Sequence, residues 1–336
     1  MLPRYSEALK KVRVTVRKIY RISEHAKQFV ISLARKELKG VFPLMPLVLD
    51  NQQELDLEGL KENIQAYEEA GFQGYVAFGC MGEFYAPTFD EFKEIVDTAV
   101  ASTTKIACVF GTTFHNTREC IIRSQYAEDA GADGVMIALP YLIPCTSEAA
   151  YEHYRLVNDA VDEIQIMVYN NPYSFRFNIG PELWDRLMQL DRIKAVKESS
   201  PDVLHRARVV AHISDRINVF PGGEFWLLAD SLMGANSIVS MAGPGVPRAT
   251  LQLYDACMKR QLDKAVEYHK KFANLFRNLT SENEVAWLKA CAEFGGLKAG
   301  PPRAPYAPLD PATRKVLWDE LREIKEISES PEDASV

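Results

Sequence analysis

Two segments, Val168-Tyr169-Asn170-Asn171-Pro172 and Ala195-Val196-Lys197-Glu198-Ser199-Ser200, each end an apolar run on a residue able to do chemistry. The runs Ile164 to Val168 and Ile193 to Val196 have strand length and each leads into a helical pattern. Tyr169 and Lys197 therefore fall at the C-terminal ends of consecutive parallel strands. Neighbouring strands lie about 4.8 Å apart, so a phenol and an amine at such positions can share one pocket. An ammonium is rarely buried without a partner, whereas an amine desolvated to lower its pKa is what Schiff-base chemistry on a ketone requires. On this reading Lys197 is the nucleophile and Tyr169 the proton carrier. The plainer alternatives are a surface lysine at a strand terminus and a strand-end aromatic with its hydroxyl in water; the pairing on adjacent strands weighs against both.

The elements that must position this pair alternate with a period near 30 residues. Strands are expected near 42–48, 74–78, 105–110, 134–138, 165–169, 193–197, 217–220 and 237–240, each followed by an amphipathic helix. Eight such units predict an α/β fold, a TIM (β/α)8 barrel, whose chemistry gathers at the C-terminal ends of the strands. A repeat agrees with this. Ala70-Gly71-Phe72-Gln73-Gly74 and Ala130-Gly131-Ala132-Asp133-Gly134 each place a glycine where a helix ends before a strand. A doubly wound open sheet would want a glycine-rich fingerprint after its first strand, and Val48-Leu49-Asp50-Asn51 stands there instead. Helical patterns near 262–278, 283–295 and 311–328 add a C-terminal helical appendage. The expected organisation is a basic N-terminal extension over 1–39, a barrel over 40–260, a helical region over 261–328 and a tail over 329–336.

Composition narrows the function classes. The 336 residues are 47% hydrophobic and 25% charged, as in an ordinary globular protein, and no stretch approaches the roughly 18 apolar residues of a membrane span. The net charge of −7 is uneven: residues 1–39 carry eleven Lys and Arg against three acids, and the rest carries 28 against 43. An acidic body gives no support to nucleic-acid binding. The basic start lacks the apolar core and cleavage site of a secretory signal; it reads as an added helix or loose extension, with a transit peptide as the alternative. Six cysteines without a CxxC or ligand spacing point to free thiols in a reducing cytoplasm and to no structural zinc. Gly222-Gly223 follows the seventh strand, where many barrels hold phosphate, but no basic residue accompanies it and Glu224 repels an anion. No cofactor or metal is expected.

Five strand-end motifs, Gly79-Cys80-Met81-Gly82-Glu83, Gly111-Thr112-Thr113, Tyr169-Asn170-Asn171-Pro172, Lys197-Glu198 and Gly222-Gly223-Glu224, occur in order. Together they resemble the pyruvate-dependent Schiff-base aldolases, the superfamily of dihydrodipicolinate synthase and N-acetylneuraminate lyase, over about residues 41–305. Within it, Gly111 to Glu119, Asn171 to Phe177 and Leu297 to Tyr306 look most similar to the hydratase-aldolases of aromatic hydrocarbon breakdown. The resemblance implies a lyase that hydrates and cleaves a substituted benzylidenepyruvate to an aromatic aldehyde and pyruvate. It also implies a homo-oligomer, since relatives are commonly tetramers.

Gly79, Cys80, Met81 and Gly82 are expected to hold the substrate carboxylate on backbone N–H groups at a helix N-terminus. The superfamily usually has two threonines where this chain has Cys80 and Met81, so a relay hydroxyl is missing; Cys80 reads as a small packed residue. Dihydrodipicolinate synthases carry an arginine where Ser174 stands and a second tyrosine where Leu142 follows Tyr141. Both absences argue against lysine biosynthesis and for an apolar second substrate, with Leu142, Ile143, Phe175 and Trp226 as its ring pocket and Gly222 nearby. Asn283 and Trp287, four apart on one helix, could both reach the barrel mouth. By resemblance Asn283 contacts the substrate or the attacking water; helix packing is the alternative for both residues. Arg176 could pair with a ring substituent. Two further readings stay open: an aldolase or dehydratase of the same superfamily acting on a sugar acid or semialdehyde, and a catalytically silent barrel with a binding role.

Overall fold

The computed structural model of the chain describes residues 35–329, and within them each apolar run expected as a strand forms one. Residues 1–34, which hold most of the expected basic extension, and the tail from 330 lie outside the described residues. The strands are β1 (Val41–Met45), β2 (Gly74–Ala77), β3 (Ala107–Gly111), β4 (Gly134–Ile137), β5 (Gln165–Asn170), β6 (Ile193–Glu198), β7 (Asn218–Pro221) and β8 (Ile238–Ser240). All neighbours pair in parallel, in the order β7-β6-β5-β4-β3-β2-β1-β8. At the seam between β7 and β8, the Asn236 side chain accepts from the Val219 amide and donates to Asn218. The fold is thus the expected TIM barrel.

The helices between strands are α1 (Leu57–Ala70), α2 (Phe89–Ser102), α3 (Thr117–Ala130), α4 (Ser147–Ala160), α5 (Pro172–Phe175), α6 (Pro181–Leu187), α7 (Val203–Ile213), α8 (Glu224–Leu232) and α9 (Pro247–Met258). Their ends follow from local chemistry. Thr88 and Glu91 form a reciprocal capping box at the start of α2, and Gly71 and Gly131 close α1 and α3 at φ 87° and 106°, a conformation that costs a glycine little. Two strand edges differ from expectation. The first strand stops at Met45 because Pro46 has no N–H to donate to a ladder. The third begins at Ala107 because the Glu68 carboxylate takes the amides of Thr104 and Lys105.

The bottom of the barrel is covered by the chain entering it. Lys36 donates its amide to Asp133, Gln165 donates to the Lys36 carbonyl, and fully buried Leu38 lies against Gly134, where a β-carbon would sit 2.9 Å from it. After the eighth unit, α10 (Leu262–Leu275), α11 (Glu284–Phe294) and α12 (Pro311–Ser328) form the C-terminal appendage. Trp318 of α12 donates to the Ala290 carbonyl of α11, 2.9 Å away. The Tyr173 hydroxyl of α5 bonds Ser281 at 3.1 Å, which holds the start of α11 against the loop that follows β5.

Candidate active site

Alternation along β5 and β6 sorts their last residues onto two faces. Tyr169 pairs in register with Lys197, and Asn170 with Glu198. Lys197 is only 4% exposed, and its Nζ lies 4.3 Å from the centroid of the Tyr169 ring. Burial pulls the Lys197 ammonium down to about 8, against an opposing pull from Cys80 and Glu284. A useful fraction of free amine thus exists near neutral pH. Burial holds the Tyr169 phenol well above its ordinary range, so it stays protonated there.

The phenol is the hub of a short polar chain. Its oxygen accepts from Asn171 Nδ2 at 3.1 Å, and its O–H points at Cys80 Sγ at 3.7 Å. Cys80 Sγ in turn faces Ser174 Oγ at 3.9 Å, and Asn171 also donates to Ser174 at 3.1 Å. The residue expected as mere packing and the residue standing where an arginine is usual are therefore neighbours beside Tyr169. Burial raises the Cys80 thiol, with Glu284 adding to the effect, so it enters the chain as a neutral donor.

Across the barrel, a β-carbon at Gly79 would lie 3.9 Å from Lys197 Nζ, so the backbone of this loop looks onto the amine. The segment is a run of turns rather than the expected helix N-terminus; α2 begins only at Phe89. Among the described residues no acceptor is found for the amides of Cys80, Met81 and Gly82, and the side chains around them are buried. Successive unpaired amides in a turn make a concavity suited to a carboxylate.

Two residues anchor this loop: Glu83, the last of its motif, and Lys289, which the sequence did not single out. Glu83, at φ 56°, is fully buried, and Lys289 of α11 lies 3.1 Å from its carboxylate; the Arg303 amide donates to the same group at 2.8 Å. Lys289 also donates to the Leu47 and Ala299 carbonyls. Burial lowers its pKa, and the Glu83 carboxylate pulls it back up. Gly111 has a steric reason to be glycine, since a β-carbon there would meet the Phe78 carbonyl oxygen at 1.9 Å. Gly222 is similarly confined by Ser199, at 2.0 Å. Thr112 and Thr113 serve the frame, bonding Ser124 and the Ala138 amide.

The residues expected to form an apolar ring pocket differ in their surroundings. Phe175 does pack on Tyr169, with ring centroids 5.4 Å apart, but Leu142 and Ile143 are 69% and 78% exposed. Trp226 packs on Arg206, whose guanidinium carbon lies 4.5 Å from its ring centroid. Trp287 is buried against Phe276 at 5.4 Å, so packing wins there. Asn283 accepts from the Thr280 amide and donates to the Asn278 carbonyl, which commits its side chain to the loop before α11. Arg176 reaches the Leu142 carbonyl at 3.5 Å.

Sequence reasoning stopped one residue short of Glu284. This first residue of α11 is half-buried and interacts electrostatically with Lys197, Cys80 and Tyr169. Burial raises its pKa, and Lys197 pulls it back. An acid in the first turn of a helix is ordinary, which is why its type and position carried no signal. Among the described residues no group of three His, Cys, Asp or Glu side chains is placed to hold a metal ion, and no helix is long and apolar enough to cross a membrane.

The profile of the dihydrodipicolinate synthetase family matches residues 37–324. The 4-hydroxy-tetrahydrodipicolinate synthase of Methanospirillum hungatei is 31% identical over 290 residues, covering 85% of this chain and 98% of its own. The enzyme of that name from Methanothrix thermoacetophila is 29% identical over 291 residues, covering 86% and 98%. Among solved structures, dihydrodipicolinate synthase from Aquifex aeolicus superposes with a TM-score of 0.79 at 25% identity, covering 85% of this chain and 97% of that one. These findings correct the substrate expected above. The curated relatives are named as synthases rather than benzylidenepyruvate hydratase-aldolases.

Proposed function

The chain belongs to the dihydrodipicolinate synthetase family, a family of carbon–carbon lyases, and from that premise we propose that it joins pyruvate to a semialdehyde through a Schiff base on Lys197. The observation that carries this reading is the buried Lys197 amine, lowered to about 8 and lying over the Tyr169 ring. The free amine attacks the pyruvate ketone, and the carbinolamine loses its hydroxyl as water when Tyr169 supplies a proton. The resulting iminium acidifies the adjacent methyl group. Loss of one of its protons gives an enamine, whose carbon attacks the aldehyde carbon of the partner. The new alkoxide takes a proton through Tyr169, and water releases the product and restores the amine. The Tyr169–Cys80–Ser174 chain supports a proton path to the loop surface, and the unpaired amides of Cys80 and Met81 support a seat for the pyruvate carboxylate.

A second reading, reversal of the same step on a sugar acid, is favoured by one observation. The side chains nearest the Tyr169 hydroxyl include the polar Cys80, Asn171 and Ser174, which suit hydroxyl groups. Action in the cytoplasm as a homotetramer belongs to the same proposal, supported by six unpaired thiols and by family resemblance.

Borohydride reduction in the presence of pyruvate tests the reading. Peptide mass spectrometry should find the adduct on Lys197 in the wild-type protein and no adduct in Lys197→Ala. Absence of trapping on the wild-type lysine would overturn it.

A further inference from the structure

Resting on the Schiff-base reading, we propose that Asn171 is a positioning residue for the proton carrier: its side-chain amide fixes which way the Tyr169 hydroxyl faces and holds the phenolate that forms when the proton is given up. At the end of β5 the chain leaves the sheet at Asn170 and turns at once into α5. Asn171 caps that short helix, its Oδ1 accepting from the Ser174 amide at 3.3 Å. A backbone N–H can only donate, so the oxygen of the Asn171 amide faces the helix and Nδ2 is the atom turned to Tyr169. Its two protons meet two acceptors, the Tyr169 and Ser174 hydroxyl oxygens, each at 3.1 Å.

An amide nitrogen has no lone pair to offer, so both hydroxyl oxygens accept from it and send their own protons elsewhere. Tyr169 points its O–H at Cys80 Sγ at 3.7 Å, and the Cys80 thiol faces Ser174 Oγ at 3.9 Å. The four side chains close a ring whose direction Asn171 sets. When Tyr169 protonates the departing hydroxyl of the carbinolamine, the phenol O–H bond breaks, water leaves and the phenolate keeps the electron pair. Asn171 donates to that oxygen before and after the transfer, and more strongly to the anion. The same bond opposes the burial that raises the Tyr169 phenol. Cys80 then returns a proton to the phenolate and is itself reprotonated from water through half-buried Ser174. Asn171 touches no substrate atom in this account; it acts through Tyr169.

The test uses pyruvate and borohydride on the full chain. Initial trapping rates on Lys197 are measured against pyruvate concentration and pH, with urea midpoints alongside, in the wild type, Asn171→Asp, Asn171→Ser and Asn171→Ala. Asp and Ser cap a helix as well as Asn does, but the carboxylate only accepts and the serine hydroxyl is too short to reach Tyr169. Both variants should keep the wild-type urea midpoint and half-saturating pyruvate while the saturating rate falls by about ten- to a hundredfold, the factor for one hydrogen bond to a charged group. Serine adds no charge, so a loss shared by both cannot come from a carboxylate acting on Lys197. In Asn171→Asp the rate relative to wild type should climb as pH falls toward the ordinary carboxyl range, about 4, because the protonated acid donates again. Asn171→Ala should lose stability as well as rate. Wild-type rates in the Asp and Ser variants, or a loss confined to Asn171→Ala, would show that Asn171 only caps α5 and would overturn the inference with the Schiff-base reading intact. Failure of wild-type trapping would instead remove the reading and the inference together.

Discussion

The outward and inward faces of the same two strand ends treat buried charge in opposite ways. Outside, Glu198 accepts two hydrogen bonds from Asn170 and one from the Ser200 amide, while Arg206 spreads its guanidinium over Asp230 and the Glu198 and Ser200 carbonyls. Arg206, Asp230 and Glu198 are all essentially inaccessible, and burial lifts the Glu198 carboxyl to about 7 despite Arg206. One residue earlier along each strand, facing inward, Lys197 has an aromatic face and distant acids but no close anion. The outer network resolves its desolvation cost by pairing, which fixes the register of β5, β6 and the helices behind them. The inner pair leaves part of that cost unresolved, and an amine held this way is reactive.

Removing the phenol breaks the comparison at its most sensitive point. Tyr169→Phe keeps the ring under the lysine and deletes only the proton carrier, so turnover should fall by about 10²- to 10⁴-fold while the circular dichroism spectrum is unchanged. Pyruvate trapping should persist at a slower rate. Turnover within a few fold of wild type would show that protons reach the intermediate without Tyr169.

The outer face should respond in stability instead. Arg206→Met leaves Asp230 and Glu198 buried without their cation, at a cost of about 3–5 kcal/mol in urea unfolding. In the fraction that remains folded, the pH dependence of imine formation should keep its wild-type midpoint, because Arg206 does not face Lys197. An unchanged urea midpoint would mean that the network is replaceable, and a moved pH midpoint would mean that the two faces are coupled.

How much of this contrast was readable in advance depends on the range of the interaction. The strands, the glycines at 71 and 131 and the pairing of Tyr169 with Lys197 are set by local pattern and by the rule that sequential βα units make parallel neighbours. Trp226 was chosen by its type, which does not say what its ring meets; it met Arg206. Leu142 was misplaced because an apolar residue in a turn carries no orientation at all, and it stands exposed. Asn283 drew attention by type, yet its amide was needed by the backbone at 278 and 280. These outcomes depend on packing between segments far apart in the chain.

The smallest expected effect separates the two faces by linkage. The native pKa of Lys197, about 8, lies below that of an unfolded lysine, near 10.5, so the native state disfavours the proton. The penalty is fully present below pH 8 and is relieved as pH rises toward 10.5, where the unfolded chain binds more protons than the native one. Stability of the wild type should therefore gain up to roughly 3 kcal/mol across that window from this group alone. Lys197→Met fills similar volume without a charge, so it should be the more stable protein at pH 7, with an advantage that shrinks by pH 9.5. Other groups, the depressed Lys289 included, are common to both proteins and cancel in the difference. Urea midpoints at the two pH values decide the matter: parallel shifts in both proteins would mean that Lys197 is not held as a strained amine, and that the inner face is as well satisfied as the outer one.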